Sequence, residues 1–271
     1  MNKPRGELFE LELFGDDVER RYRRMRPEVE QMPWGTFDTS GISEKALVIA
    51  RKQWTLAAFQ EHRTAIACTA ALRALMECRA PVDLVALAAR FPLDELVHVE
   101  LCSRMAMELG GGTEVRHDPD ELILDAPAEL SPLLRAGHMI VRFFCVGEAL
   151  SIPLLRSTWK AARHPLPRTV LGRIVRDEAA HGTFGFAFLD WALPLLSEDD
   201  RTLFGAAADR AISAISRQWE SIRKNRSADY DASVGDALGW MQTDSYLELA
   251  ARSMQARVRE PLLLRGIPLR A

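Results

Sequence analysis

Apolar residues recur every three to four positions through long reaches of this chain, the spacing of helices with one buried face. The first long reach starts near Ser43, whose hydroxyl can cap a helix, and runs to about Cys78 with no Gly or Pro between Ile42 and Ala80. Val82 to Arg90 predicts a short helical segment. Pro92 then either opens the next helix as its first residue or kinks a longer one, and Gly110-Gly111-Gly112 ends it. Residues 113–130 are polar and turn-like. Ser131-Pro132, a cap followed by proline at the first helical position, starts a third rod, in which Pro153 predicts a kink. His164-Pro165-Leu166-Pro167 closes the crossover, and a fourth helix follows to about Leu193, stopped by Pro194. Ser197-Glu198-Asp199-Asp200 caps a fifth helix reaching about Lys224. Residues 226–236 read as a polar break, and a last helix covers Asp244 to Arg259. The expectation is an all-α chain forming one domain over 1–271: an N-terminal arm (1–42), a helical bundle core (43–225) and a C-terminal helical extension (226–271).

Two of these helices carry the same polar pattern. Asp94-Glu95-Leu96-Val97-His98 and Asp177-Glu178-Ala179-Ala180-His181 both read Asp-Glu-x-x-His. Residues three apart on a helix share a face, so each Glu and His converge on one point. Each motif helix is preceded by a helix with a lone inward carboxylate. Glu61 shares its face with Trp54, Ala57, Ala58, Thr64, Ala65 and Cys68; Glu148 sits in Phe143-Phe144-Cys145-Val146-Gly147-Glu148-Ala149-Leu150. An unpaired carboxylate in such a stripe costs several kcal/mol or stays protonated, and a metal ion is the simplest partner. Glu61 precedes Glu95 by 34 residues and Glu148 precedes Glu178 by 30, each interval fitting a helix, a connection and part of an antiparallel helix.

Four carboxylates and two imidazoles suit two divalent ions of borderline hardness, iron above all, with manganese the other choice. The expected ligand set is Glu61, Glu95, His98, Glu148, Glu178 and His181. Asp94 and Asp177 are expected to accept the second ring N–H of a ligand histidine on another helix. Gly182 and Gly185 thin the helix face beside His181 and admit a close neighbour. His62, about 100° round the helix from Glu61, reads as a surface or supporting residue. The residues leave two alternatives open: a metal-free core of Glu–His pairs, and a scaffold that keeps the ligands' shape without activity.

Composition narrows the class without deciding it. The 271 residues are 48% hydrophobic and 27% charged, enough to bury a large core. A net charge of −3 offers no basic excess for nucleic acid. The charged N-terminus lacks a signal-peptide pattern, and no uninterrupted apolar run approaches the ~18 residues of a membrane helix. Cys68, Cys78, Cys102 and Cys145 are scattered, without a C-x-x-C pair, which fits free thiols in a reducing cytoplasm.

The set Glu61, Glu95/His98, Glu148, Glu178/His181 resembles the ferritin-like diiron carboxylate proteins over roughly residues 43–225. That resemblance implies a four-helix bundle with a long crossover, a dinuclear iron site in its middle and reaction with dioxygen. The arm and C-terminal helices look more like the ribonucleotide reductase small subunit, acyl-carrier-protein desaturases and arylamine N-oxygenases than like ferritins. The radical tyrosine of the reductase, one turn after the first motif histidine, is here Cys102, which argues against a tyrosyl-radical enzyme. The third histidine of the N-oxygenases is here Ile174. Ser151 stands where some of these oxygenases carry a hydroxyl, or else bonds its own helix backbone. The resulting expectation is an oxygenase that hydroxylates or N-oxygenates a small organic substrate, fed by an external electron donor. It would work without membrane or nucleic acid, alone or as a homodimer. The competing class is a ferroxidase that handles iron without an organic substrate.

Overall fold

The computed structural model describes residues 6–224 and 232–270, and among them the protein is all-α apart from one two-stranded ribbon. The arm pairs β1 (Glu7–Leu8) with β2 (Arg116–His117) and continues through α1 (Asp16–Met25) and α2 (Pro27–Glu30). Four long rods follow: α3 (Glu44–Glu77), α4 (Val82–Glu108), the composite rod α5 (Pro132–Ile140), a π-helical stretch Val141–Glu148 and α6 (Ala149–Ala161), then α7 (Pro165–Ala192). The helix α8 (Glu198–Lys224) lies on the π-helical stretch, and α9 (Ala232–Leu238), α10 (Thr243–Ser253), a second π-helical turn Met254–Arg259 and α11 (Glu260–Leu264) complete the chain.

Local chemistry starts and stops the rods where the residues dictate. The Ser43 hydroxyl accepts from the Ala46 N–H and opens α3. Ser131 does the same for α5 through Leu134, with Pro132 behind it. His164 caps α7 with its ring nitrogen Nδ1, which accepts from the Leu166 N–H at 3.2 Å. Ser197 and Asp200 exchange bonds with each other's backbone N–H, a capping box for α8. Pro92 lies inside α4, so Val82 to Glu108 is one helix rather than two.

The chain turns back sharply at Arg79, in the left-handed region with φ 56°, so α3 and α4 pack antiparallel. From Leu109 the backbone runs along the outside of α3. The Thr113 N–H reaches the Thr55 hydroxyl at 3.1 Å and His117 stacks on Phe59, ring centroids 5.0 Å apart. At the far end Arg135 pairs with Glu77 at 3.0 Å and α5 begins. The long crossover is therefore the 109–131 segment, and the link before Pro165, where the sequence placed its close, is a tight turn. Each rod contacts two others around a ring, in the order α3, α4, α7 and α5–α6.

The polar break expected over 226–236 is shorter than anticipated: α9 occupies Ala232–Leu238, and 225–231 lies outside the described residues. The last helical stretch likewise runs past Arg259 into α11. Among the described residues one 30-residue stretch, Pro132–Ala161, is long and apolar enough to cross a membrane by length and composition, although Arg142 and Glu148 interrupt its apolar run. Most of its apolar window is buried inside the bundle.

The core divides into two apolar clusters. One holds Ala46 to Ala58 of α3, Val97 to Leu109 of α4 and Leu166 to Ile174 of α7. The other holds Cys68 to Leu75 of α3, Leu84 to Phe91 of α4 and Phe184 to Ala192 of α7, together with Ala136 to Leu150. Glu61, Glu95, Glu178 and His181 fall in the gaps between these runs. The polar residues thus form a slab between two dry layers. Close approach to α7 is set by glycine: a Cβ at Gly185 would lie 2.6 Å from the Cys145 sulfur, and one at Gly182 would lie 2.5 Å from Ile152.

Candidate metal centre

Four rods each present carboxylate or imidazole to the slab. Glu61 comes from α3, Glu95 and His98 from α4, Glu148 from the last residue of the π-helical stretch, and Glu178 and His181 from α7. The wider π-helical turn ends on Glu148, and such turns recur at functional sites because they re-aim a side chain without ending the helix. Burial is near complete: Glu95, His98 and His181 are 0% exposed, and Glu61 keeps the most solvent, its side chain 16% exposed.

The side chains form two overlapping groups. One is Glu61, Glu95, His98 and Glu178; the other is Glu95, Glu148, Glu178 and His181. In each, the candidate ligand atoms lie within 4.8 Å of one another. Glu95 and Glu178 belong to both. His98 Nδ1 is 3.4 Å from Glu95 and 3.4 Å from Glu178. His181 Nδ1 is 2.9 Å from Glu95 and 3.2 Å from Glu178. Both rings therefore turn the same nitrogen inward. The ring centroids stand 6.4 Å apart.

The outward nitrogens meet the aspartates of the opposite motif. His98 Nε2 is 3.1 Å from Asp177 on α7, and His181 Nε2 is 3.6 Å from Asp94 on α4. Each aspartate is held by an arginine four residues earlier. Arg90 Nε is 2.9 Å from Asp94, and Arg173 contacts Asp177. Arg90 also reaches Asp177 at 3.5 Å, and Arg173 bonds Glu28 of α2 at 3.0 Å, so the arm is tied to the site. The two arginines were missed in reading the sequence, although both motifs extend to Arg-x-x-x-Asp-Glu-x-x-His. Glu28, far away in the chain, gives no such signal.

Ser151, expected beside the site, donates its hydroxyl to the Glu148 carbonyl at 2.9 Å, so its role is in the helix backbone. His62 joins neither group and stacks against Phe9, centroids 5.5 Å apart. All four cysteines are free thiols; Cys68, Cys102 and Cys145 are buried in the apolar layers.

Burial, then the charge of Glu95, holds the Glu61 carboxyl well above the usual range; burial and Glu178 do the same to Glu148. Burial works against charge on the imidazoles, yet the carboxylates of Glu178 and Glu95 outweigh it and carry His98 well above its ordinary value. His181 rises to about 11 as Asp94, Glu178 and Glu95 overcome its burial. Glu178 is also buried, but His181 and His98 hold it below the carboxylate range. Without a cation, protons must balance the buried negative charge.

Both oxygens of Glu95, one of Glu178, the inward nitrogens of both histidines and the outward nitrogen of His181 are buried with no hydrogen-bond partner. Buried polar atoms are nearly always bonded, so a set of orphans converging on two points fits cations placed there. The donors are oxygen and imidazole nitrogen, suited to iron, manganese or zinc.

Fold and side chains together define an all-α protein with a buried carboxylate–histidine cluster able to hold metal ions. No protein family and no curated protein matches its sequence.

Proposed function

We propose that the protein is a ferritin-like non-heme diiron oxygenase that uses dioxygen to hydroxylate or N-oxygenate a small organic substrate. The observation that carries this reading is the sharing of Glu95 and Glu178 between the two ligand groups. Carboxylates common to two sites hold two ions side by side, about 3.5–4 Å apart in dinuclear centres. Glu61 and His98 would complete one site, Glu148 and His181 the other. Four carboxylates balance the charge of two divalent ions. A bound ferrous pair supplies the electrons for reduction of dioxygen.

The chain's own groups set the conditions for that chemistry. Asp177, hydrogen-bonded to the outward nitrogen of His98, fixes that nitrogen as the protonated one and so presents Nδ1 as a lone-pair donor, while Asp94 faces the outward nitrogen of His181 as a nearby charge at 3.6 Å. Phe91, Phe144 and Phe184 pack edge to face beside His181 and keep water from that side. A cleft of about 590 Å³ is lined by Ala65, one turn beyond Glu61, and by Pro92 and Leu96, which flank Glu95; it gives an organic molecule room on the same helices, although neither glutamate lines it. Resupply of electrons falls to an external reductase or a reducing substrate.

The second reading is ferroxidation without an organic substrate. Among the described residues, none of the six ligand residues lines the four clefts found, which suits a small reductant such as ferrous ion itself. Anaerobic loading with ferrous ion followed by labelled dioxygen separates the two. Incorporation of label into an added amine or hydrocarbon supports the oxygenase. Turnover of many iron equivalents, with no labelled product across a substrate panel, overturns it in favour of iron handling. Failure to bind about two irons per chain overturns both.

A further inference from the structure

A second cleft lies away from the metal centre, between the 124–127 segment, the π-helical stretch and α8. Its volume is about 830 Å³. Most of its lining is apolar, including Leu124, Phe143 and Ile215, but two guanidiniums and an imidazole enter it: Arg142, Arg210 and His138.

Both arginines direct their hydrogen bonds to neutral acceptors. Arg142 Nη1 donates to the Asp125 carbonyl at 3.1 Å, a neutral acceptor. Arg210 Nη2 donates to His138 Nε2 at 3.1 Å, also neutral. Asp125 also lines the cleft; its carboxylate accepts from the Ala126 N–H at 2.7 Å rather than from either arginine. Among the described residues, neither arginine forms an ion pair. Since arginine can only donate, Nε2 of His138 is the acceptor and its proton sits on Nδ1, which is buried without a partner. The ring is 4% exposed. Burial and the nearby Arg210 both weaken the hold of Arg142 on its charge, as expected of cations left without a counter-ion.

We propose that this cleft binds a small organic carboxylate, its head group held between Arg142 and Arg210 and its apolar body laid against Phe143 and Ile215. Two planar guanidiniums suit a carboxylate, which accepts paired N–H bonds from each. The apolar walls exclude a bare inorganic anion as the best occupant, because they would bury nothing against it. The site also adjoins the metal centre's scaffold. Arg142 and Phe143 belong to the π-helical stretch that ends at Glu148. Phe143 packs edge-on to Phe144 at 4.9 Å, and Phe144 meets Phe91, which lies against His181. This binding does not depend on whether the metal centre reacts with dioxygen.

Calorimetric titration of the full chain with octanoate tests it. Saturable binding is expected, weaker at higher salt, with R142Q and R210Q each lowering affinity by about tenfold or more. R217Q, on α8 but outside this cleft, should bind as the unaltered protein does. Octanol should bind far more weakly than octanoate. Absence of saturable binding up to about 10 mM overturns the proposal. So does octanoate binding that survives both arginine changes, or inorganic phosphate displacing octanoate at equal concentration. Should R142Q fail to fold, R210Q on the exposed face of α8 decides alone.

Discussion

His98 on α4 lies 3.1 Å from Asp177 on α7, so the histidine of one Asp-Glu-x-x-His motif is oriented by the aspartate of the other. His181 faces Asp94 in the mirror arrangement, but at 3.6 Å and without a hydrogen bond. Partners of this kind fix ring orientation and raise the basicity of the inward nitrogen. D177N, which keeps the shape and loses the charge, is expected to weaken metal binding by roughly 10- to 100-fold. Competition against a chromogenic chelator measures it. An unchanged affinity would show that Asp177 serves folding alone.

Shared and unshared carboxylates should fail differently. Glu178→Ala removes a ligand common to both groups and is expected to abolish stoichiometric loading. Glu61→Ala opens only one group and should leave about one ion per chain. Metal analysis after ferrous loading distinguishes them. Two ions retained by Glu178→Ala would remove Glu178 from the ligand set.

Metal loading should release protons. Glu61 and Glu148 are held above the carboxylate range and His181 near 11, so the empty cluster carries protons near neutral pH that cations must displace. The apparent affinity is therefore expected to rise with pH between about 5 and 8. Titration calorimetry in buffers of different ionisation enthalpy counts the protons released. Binding heats independent of buffer would contradict the charge balance drawn above.

His138 supplies a separate pH signature. Burial, then Arg142 and Arg210, pull its imidazole from 6.5 down to about 4. The folded value is the lower one, so the unfolded chain binds the proton first on acidification. The stability contributed is complete above 6.5 and is lost as pH falls through about 4. H138Q should flatten that part of the stability profile, measured by urea unfolding at several pH values. Parallel profiles for the two proteins would show His138 to titrate normally.

G185A tests the packing of α7 against the π-helical stretch. The added methyl would lie 2.6 Å from the Cys145 sulfur and 2.8 Å from the Cys145 backbone nitrogen. Backbone cannot yield cheaply, so a loss of about 1–3 kcal/mol in unfolding free energy is expected. A neutral change would mean the rods slide apart at little cost.

Much of this was legible because the residues responsible act locally. Ser43, Ser131 and Ser197 start helices through bonds to backbone within three residues, and the motif spacing places Glu95 with His98 and Glu178 with His181. The bond of His98 to Asp177 was foreseen because the aspartates sit one step off the ligand face, whereas Asp94 stops 3.6 Å short of His181 without a hydrogen bond. Less was legible where the outcome depends on packing. Pro92 could open a helix or be carried inside one, and only the neighbouring rods select the second. The π-helical stretch before Glu148 has no sequence signature of its own. Arg173 was readable in retrospect from its spacing, whereas Glu28 needed the folded arm.

The crossed pairing also bears on how the protein can be divided. Cut between α4 and α5, the first fragment keeps Glu61, Glu95 and His98 but leaves His98 without Asp177, and the second parts His181 from Glu95 and Asp94. Neither piece steadies its own imidazole. The repeated motif therefore does not divide into two self-sufficient halves, because the histidine of the first takes its orienting carboxylate from the second.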